Sequence, residues 1–373
     1  MEIYLDHAAT TKMRDEVLEA MLPYLQHHFG NPSSLYEIGI RNRRMINEAR
    51  REIKQRLNLP AGNIFFTSSG TESNNWSLKG LAFRNPDKKE IITTRIEHHS
   101  ILNTCHFLER FGYIVHYLSV DEQGFISLTE LEELINDDTL VVSIHYANNE
   151  IGTIQEVSAI AKICEEKGVY FHCDATQAVG HIPIETTGID LLTFSAHKFY
   201  GPKGIGALYV KDGVFLDPLI HGGDQEKGQR AGTENVAAIV GLVTALKLAI
   251  EEQEEYLKLR HLTTLLFEGL QEHLGDGVRL NGPAIGPKRL ANNLNVSFKG
   301  IDGNKLSFYL GKQGIYVSTG SACDFDRIEP SHVIQSIGVP EDYRNGTIRM
   351  TLGRNTTREM IERTVDFITQ YVK

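Results

Sequence analysis

The sequence predicts an α/β fold with a large, mainly parallel seven-stranded sheet domain and a smaller α+β domain. The first observation is that seven short apolar runs between residues 64 and 210 mostly alternate with helical stretches. Such alternation is typical of a parallel sheet covered by helices on both faces. The second observation is that long helical stretches over residues 235–274 precede a further group of strand-like runs. A length of 373 residues is sufficient for two domains.

The elements before the sheet are predicted from local residue patterns. Ile3-Tyr4-Leu5 is a short apolar run typical of a strand, and the small polar segment 6–11 after it could approach a ligand closely. A helix is predicted over 14–26, turn residues over 29–34 interrupt it, and a basic helix follows over 40–57.

The remaining elements are predicted in the same way. We predict the seven sheet strands at 64–67, 91–94, 113–117, 140–144, 169–172, 191–194 and 207–210, with helices at 128–136 and 156–167 among the connections. The smaller domain is predicted to contain strands at 294–298, 315–318 and 348–351 and a closing helix from residue 357. We place the large domain at 14–260 and the small domain at 261–373, with residues 1–13 associated with the small domain.

Composition excludes several classes of protein. A net charge of -10 disfavours nonspecific binding to nucleic acid, whose phosphates attract basic surfaces. The first residues show no secretory signal pattern and no apolar run reaches about 18 residues, so we expect no membrane association. The four cysteines, at positions 105, 164, 173 and 323, are far apart, which indicates neither a disulfide framework nor a zinc knuckle. A cytoplasmic location is therefore expected.

Residues 189–206 contain the strongest chemical signal. An apolar strand ends there in Ser195, His197 and Lys198, followed by a turn rich in glycine and proline. A lysine at the end of a buried strand is costly to desolvate, and such a lysine loses its proton more easily and can form a Schiff base with a carbonyl group. A lone lysine of this kind is otherwise a surface residue whose ammonium reaches solvent.

Three further stretches follow predicted strands. The hydroxyl-rich residues 66–75 follow a strand and open a helix, so the free backbone N–H groups and hydroxyls of this stretch could bind a phosphate, although an ordinary helix cap has the same composition. Asp174 could keep a pyridine nitrogen protonated, or could cap a helix. The stretch Glu97-His98-His99-Ser100 offers an imidazole for proton transfer or ring stacking, although a lone histidine is more often structural. The neighbouring pair of histidines lacks a third ligand at the expected spacing, so no metal site is predicted.

Cys323 is the remaining candidate. It follows a predicted strand inside the segment Gly320-Ser321-Ala322, which predicts an accessible thiol rather than a buried one. A thiol is only partly thiolate at neutral pH, so its activation depends on its surroundings. We therefore interpret Cys323 as a candidate nucleophile and the other three cysteines as core residues.

Taken together, these stretches resemble the cysteine desulfurases of the NifS/IscS type, which use pyridoxal 5'-phosphate and have the large-plus-small-domain fold (fold type I) of the aminotransferases. The resemblance extends from Tyr4-Leu5-Asp6 to Leu352-Gly353-Arg354, nearly the whole chain. It is carried by motifs that are specific in combination: Gly30-Asn31-Pro32-Ser33-Ser34, Gly70-Thr71-Glu72-Ser73-Asn74, Glu97-His98, Asn148-Asn149-Glu150-Ile151-Gly152, Asp174-Ala175-Thr176-Gln177, Ser195-Ala196-His197-Lys198, Arg230-Ala231-Gly232-Thr233-Glu234-Asn235 and Gly320-Ser321-Ala322-Cys323.

The resemblance implies a role for each matching residue. Lys198 would form the Schiff base, and Cys323 would accept the sulfur as a persulfide. His98 would stack on the cofactor ring and move protons. Asp174 would contact the pyridine nitrogen of the cofactor, Gln177 would contact the ring hydroxyl, and Asn149 would also contact the cofactor. The phosphate would be held by Gly70, Thr71, Ser195 and His197. Thr233 would reach the phosphate from the second subunit of a homodimer. Arg349, assisted by Asn149, would bind the substrate carboxylate.

The implied activity converts L-cysteine to L-alanine and passes the sulfur to an acceptor protein, for example an iron–sulfur cluster scaffold or a tRNA thiolation enzyme. This chain departs from the family in the acidic residues Asp324 and Asp326 after the cysteine, which should disfavour the thiolate and alter partner docking. Two other functions remain possible interpretations of the sequence. One is a different reaction of the same fold, an aminotransferase or a cysteine lyase, and the other is a catalytically inactive scaffold for sulfur transfer.

Overall fold

A computed structural model describes residues 2–252, 254–320 and 330–373. The predicted nucleophile Cys323, with Asp324 and Asp326, lies outside the described residues. The strands are β1 (Ile3–Tyr4), β2 (Gly62–Thr67), β3 (Glu90–Thr94), β4 (Ile114–Leu118), β5 (Thr139–His145), β6 (Tyr170–Asp174), β7 (Leu191–Ser195), β8 (Gly206–Lys211), β9 (Val278–Leu280), β10 (Asn293–Phe298), β11 (Ile315–Tyr316) and β12 (Thr347–Thr351).

The helices connect and cover these strands. They are α1 (Asp15–Gln26), α2 (Glu37–Arg56), α3 (Gly70–Arg84), α4 (His99–Glu109), α5 (Leu128–Leu134), α6 (Val157–Lys167), α7 (Val236–Glu251), α8 (Glu255–Leu274), α9 (Gly303–Lys312), α10 (His332–Ser336), α11 (Glu341–Arg344) and α12 (Arg358–Val372). Short 3-10 helices lie at Ala196–Lys198, Gln225–Gly228 and Gly275–Gly277. No helix in the described part of the chain is both long and apolar enough to cross a bilayer.

The large sheet has the seven strands that the sequence predicts, in the order β2-β8-β7-β6-β5-β3-β4. Strand β8 runs antiparallel to its neighbours β2 and β7, and the other pairings are parallel. Every residue of β5 is buried, as expected for a strand with helices on both faces. The predicted mainly parallel α/β fold is therefore confirmed.

Apart from the core of the large sheet, an apolar cluster lies around a three-stranded antiparallel sheet of order β12-β10-β9. It includes Leu259, Leu262 and Leu266 of α8, together with Ile3 and Leu5 at the start of the chain. Strand β1 pairs with β11 in parallel. The division at 260/261 falls within α8, and the predicted domain boundaries stay a prediction.

One predicted strand is shorter than expected. Residues 315–318 were expected to be extended throughout, but β11 ends at Tyr316. Beyond it, Ser318 instead forms an isolated antiparallel bridge with Arg349 of β12. This bridge anchors the residues before the undescribed segment to the small sheet.

Candidate active site

A cavity of about 310 Å³ lies at the carboxyl ends of β5, β6 and β7, where ligands bind in open parallel sheets. It also borders the amino ends of α3 and α4. The predicted site residues that line it are Gly70, Thr71, His98, Asn149, Asp174, Gln177, Ser195, His197, Lys198 and Arg349. The fold thus brings ten of the twelve predicted site residues to one cavity.

Lys198 reaches this cavity from the short 3-10 helix that follows β7. Its Nζ donates hydrogen bonds to the carbonyl oxygens of Ala8, at 2.6 Å, and Ala9, at 2.8 Å. Gln177 also donates to the Ala8 carbonyl, at 3.0 Å. The side chain of Lys198 is half-buried, so its amine faces the cavity rather than bulk solvent.

Asp174 ends strand β6 and is buried. Its Oδ2 accepts a hydrogen bond from Asn74 Nδ2 at 2.7 Å, and its Oδ1 accepts one from the Thr176 amide at 3.0 Å. These two donors fix the orientation of the carboxyl group. Asp174 could therefore pair with a protonated ring nitrogen.

His98 is the N-cap residue of α4. Its Nδ1 accepts a hydrogen bond from the Ser100 amide at 3.1 Å, so the ring is oriented by the helix that it caps. Burial lowers the pKa of His98, and the nearby Lys198 and His99 lower it further, while Asp174 opposes this shift. His98 is therefore neutral at pH 7 and can accept a proton.

The first turn of α3 forms a candidate phosphate cradle. Gly70 and Thr71 begin the helix, and Ser195 and His197 face it from the end of β7. The buried Thr176 Oγ1 has no hydrogen-bond partner among the described residues, and it lies 3.0 Å from the position that a Cβ on Gly70 would occupy. A hydroxyl without a partner beside free helix amides suits a phosphate group. Burial, with Lys198 and Lys203, lowers the pKa of His197 to about 4, so this ring is neutral.

Arg349 lies on β12 and is 2% exposed. Its Nη2 donates to Asp6 Oδ1 at 2.6 Å, and its Nη1 donates to the backbone oxygen of Asn149 at 3.1 Å. Its Nε has no partner in the described part of the chain. The residue predicted to bind a substrate carboxylate thus already contacts a carboxylate of the chain, an ion pair that the sequence did not indicate.

Sequence reasoning missed a buried pair at the floor of the cavity. His145 Nδ1 lies 3.0 Å from Glu97 Oε1, and the same oxygen accepts from Thr94 Oγ1 at 2.8 Å. Glu97 is 1% exposed and His145 is 5% exposed. Glu97 and His145 are 48 residues apart, so no local pattern could have paired them.

His332 was also missed. Its Nε2 lies 3.0 Å from the Glu97 carbonyl oxygen, and because a carbonyl only accepts, Nε2 carries the hydrogen. Its Nδ1 has no partner among the described residues. By contrast, Asn74 and Thr176 lie inside motifs singled out from the sequence, so their positions next to Asp174 and Gly70 could have been anticipated.

Thr233 does not line this cavity. It is exposed and borders a second cavity of about 160 Å³, which also touches Thr67 and Ser68, while the next residues, Ser69 and Gly70, line the first cavity. Thr233 therefore lies outside the main cavity of its own subunit, whereas the resemblance places it at the phosphate site of the second subunit.

The described residues on both sides of the Cys323 segment converge on Glu150, which lines the main cavity. Ser331 Oγ donates to Glu150 Oε2 at 2.6 Å, and a Cβ on Gly320 would lie 3.2 Å from the same oxygen. The other three cysteines are buried free thiols. Burial raises the pKa of Cys105 and of Cys164 to about 12. It also raises the pKa of Cys173 well above its usual value, so none of the three suits a nucleophile. No group of three potential metal ligands occurs among the residues that the structure describes.

Comparison with known proteins gives consistent results. The aminotransferase class-V family model matches residues 3–364. A cysteine desulfurase IscS from Methanosarcina thermophila is 50% identical over 100% of this chain and 92% of its own length. A solved NifS-like protein is 39% identical with a TM-score of 0.92, covering 100% of this chain and 99% of the other. The solved structure of SspA in complex with cysteine is 36% identical with a TM-score of 0.82, covering 96% and 100%.

Proposed function

We propose that this chain, which belongs to the aminotransferase class-V family and is a cysteine desulfurase, converts L-cysteine to L-alanine and transfers the sulfur to Cys323. The observation that carries this proposal is the single cavity that brings together Lys198, Asp174, His98 and Arg349. The residues that flank the Cys323 segment also lie at the wall of this cavity, beside Glu150.

The family depends on pyridoxal 5'-phosphate, and the residues of the cavity fit this cofactor. The unpartnered Thr176 hydroxyl and the α3 amides suit its phosphate, with Ser195 and His197 alongside. The carboxylate of Asp174 suits its ring nitrogen, Gln177 and Asn149 its hydroxyl side, and Lys198 its aldehyde. When bound, the cofactor supplies an electron sink for the pair of electrons released at the substrate Cα.

Each protein group then has a defined task. Arg349 binds the substrate carboxylate, because a guanidinium matches a carboxylate in shape and charge. The amine of Lys198 removes the α-proton, and His98, neutral at pH 7, moves the proton of a thiol. The thiolate of Cys323 attacks the substrate sulfur, so that an S–S bond forms as the Cβ–S bond breaks. The electron pair of the broken bond stays on Cβ, which takes up a proton and becomes the methyl group of alanine.

The persulfide must then leave the enzyme. We propose an acceptor protein, either an iron–sulfur cluster scaffold or a tRNA thiolation enzyme, with Asp324 and Asp326 next to the sulfur as part of the docking surface. A cytoplasmic location belongs to the same proposal. It is supported by the three free thiols among the described residues, which fit a reducing compartment.

We also propose a homodimer in which Thr233 completes the phosphate site of the partner subunit. Thr233 is exposed and lies outside its own main cavity, which supports a role across an interface. Large apolar side chains near α1 and α2 are exposed, among them Phe29 at 76% and Leu25 at 59%. A contact between two copies would cover them.

The test of the desulfurase reaction is the release of sulfide and alanine from L-cysteine in the presence of a thiol reductant. We expect wild type to release both in equal amounts, and Cys323→Ala to release neither while retaining the yellow cofactor. Cys105→Ala is the matched control and should keep full activity, because that thiol is buried.

The same assay distinguishes the desulfurase from the alternative functions. Equal release of sulfide and alanine by Cys323→Ala and wild type would show that Cys323 is not the sulfur acceptor. Pyruvate and ammonia in place of alanine would show a cysteine lyase, and the keto acid of cysteine with no sulfide would show an aminotransferase. Wild-type protein that binds the cofactor but releases no product at any cysteine concentration would show a scaffold.

A further inference from the structure

The residues Asp6–Thr11, here called the N-terminal segment, lie against the cavity and contact three proposed site residues. The carbonyl oxygens of Ala8 and Ala9 accept hydrogen bonds from Lys198, and that of Ala8 also accepts from Gln177. Near its start the His7 amide donates to the Thr351 carbonyl at 3.3 Å and the Ala8 amide donates to Thr351 Oγ1 at 2.8 Å. At its end Thr11 Oγ1 donates to the His197 carbonyl at 2.8 Å. The position of Asp6 is therefore set by the fold.

Asp6 supplies the carboxylate that balances the charge of Arg349. The two side chains are joined at 2.6 Å, with Arg349 2% and Asp6 18% exposed. An anionic partner stabilises a guanidinium this deeply buried, because burial removes the water that would otherwise solvate its charge. Among the described residues, Asp6 supplies the carboxylate that contacts the Arg349 guanidinium. The Nε hydrogen of Arg349 has no acceptor there.

We propose that Asp6 is an internal competitor of the substrate carboxylate at Arg349, and that it sets how tightly the enzyme holds amino acids. This inference rests on the proposed role of Arg349. A substrate carboxylate that approaches the guanidinium meets the negative charge of Asp6, and it must either displace that side chain or lie beside it. Displacement breaks the ion pair between Asp6 and Arg349, and binding beside Asp6 brings two negative charges together. Both oppose binding, and the effect is strong because the pair is largely shielded from water. Asp6 thereby lowers affinity for both the substrate and the product.

The test compares two ligands that differ only in the carboxylate. Dissociation constants of L-alanine and L-alaninamide are measured with the cofactor-loaded enzyme from the change in cofactor absorbance. Asp6→Asn keeps an oxygen that can accept from Arg349 but removes the charge. We expect Asp6→Asn to bind L-alanine about tenfold more tightly, with the affinity for L-alaninamide changed less than about twofold.

Asp6→Glu, which retains the charge, is the matched control and should bind L-alanine within about threefold of wild type. If Asp6→Asn binds L-alanine no better than wild type, or binds both ligands more tightly to the same extent, the proposal is wrong. If Asp6→Asn does not fold alone, L-alanine should restore its yield of folded protein and L-alaninamide should not. Equal results with the two ligands would also overturn the proposal.

A third variant separates this proposal from the assignment of Arg349. Arg349→Gln should weaken binding of L-alanine selectively. If it does so while Asp6→Asn has no effect, only the role of Asp6 is refuted. If Arg349→Gln weakens neither ligand, the carboxylate site lies elsewhere, and both the assignment of Arg349 and the proposal for Asp6 are refuted.

Discussion

At the scale of single residues, the chemistry depends on side chains whose charges are set by burial. Glu97 lines the same cavity as His98, and its carboxylate contacts Thr94 and His145. Because Glu97 directly precedes His98, this contact fixes the start of α4 and with it the position of the His98 ring. The Glu97–His145 pair is thus a positioning pair rather than a catalytic one.

We predict that His145→Phe lowers the free energy of unfolding by about 3 kcal/mol, since it removes a buried donor from a buried carboxylate. The measurement is urea unfolding of the cofactor-free protein. The control is His106→Phe, because the pair of His106 with Glu109 is on the surface, and it should change stability by less than about 0.5 kcal/mol.

The double variant Glu97→Gln/His145→Phe tests the cause. It should be more stable than His145→Phe alone, because the amide of glutamine carries no charge that burial would penalise. If the stability lost in the double variant equals the sum of the losses in Glu97→Gln and His145→Phe, the two side chains do not interact.

At the scale of secondary-structure elements, the amino ends of α3 and α4 and the ends of β6 and β7 define the cavity. Ser69 caps α3 by accepting a hydrogen bond from the Glu72 amide at 3.2 Å, and Glu72 in turn pairs with Arg230 at 2.8 Å. These contacts leave the first amides of α3 available to an anion. A side chain at Gly70 would intrude on the space in front of them.

We predict that Gly70→Ala weakens binding of pyridoxal 5'-phosphate at least about tenfold, because the added Cβ would lie against Thr176 Oγ1 where the phosphate is expected. The measurement is equilibrium dialysis of the cofactor from the enzyme. The matched control is Gly311→Ala in α9, where a Cβ would meet nothing within 4 Å. That variant should stabilise the fold by about 0.5–1 kcal/mol and leave cofactor affinity unchanged. Unchanged affinity in Gly70→Ala would place the phosphate elsewhere.

At the scale of the whole molecule, several histidines are buried in their neutral form. His172 lies inside the large sheet between the hydroxyls of Ser143, at 2.8 Å, and Thr193, at 3.1 Å, and burial lowers its pKa to about 4. Burial also lowers the pKa of His181 to about 4. In the unfolded chain both rings have ordinary pKa values near 6.5. The unfolded state therefore binds more protons than the folded state between these two values, and stability decreases as the pH falls.

We predict that lowering the pH from 7 to 5 reduces the free energy of unfolding by roughly 1–2 kcal/mol for each of these rings. The contribution of one ring is isolated with His172→Gln, which keeps a polar side chain between the same hydroxyls. The loss of stability over this pH range, measured by urea unfolding, should be smaller in the variant than in wild type. An identical loss in the two proteins would contradict the assignment.

Assembly is the second property of the whole molecule. We predict that wild type sediments as a dimer and that Phe29→Glu shifts it toward the monomer and weakens cofactor binding, because Thr233 of the partner is then lost. The control is Phe308→Glu, at a side chain that is 67% exposed on α9, which should remain dimeric. A monomeric wild type would refute the dimer and leave Thr233 without the proposed role.

The sequence alone was sufficient for the architecture and for the reaction class. The seven strands of the large sheet were predicted within one to two residues of their observed bounds, because their apolar runs end in clear turn or polar signals. Ten residues of the main cavity were also named in advance, through motifs that resemble the family in combination. Local sequence determines such features because they depend on neighbouring residues.

The contacts between distant segments were decided only by the tertiary structure. The pairing of Asp6 with Arg349 joins residues 343 positions apart, and the contact of His332 with Glu97 spans 235 positions. Neither has a local signature, because any carboxylate could have paired with this arginine in another arrangement of the sheets. The folded chain selects the partners through burial: a charge removed from water is stable only where the surrounding elements place an opposite charge or a hydrogen-bond donor.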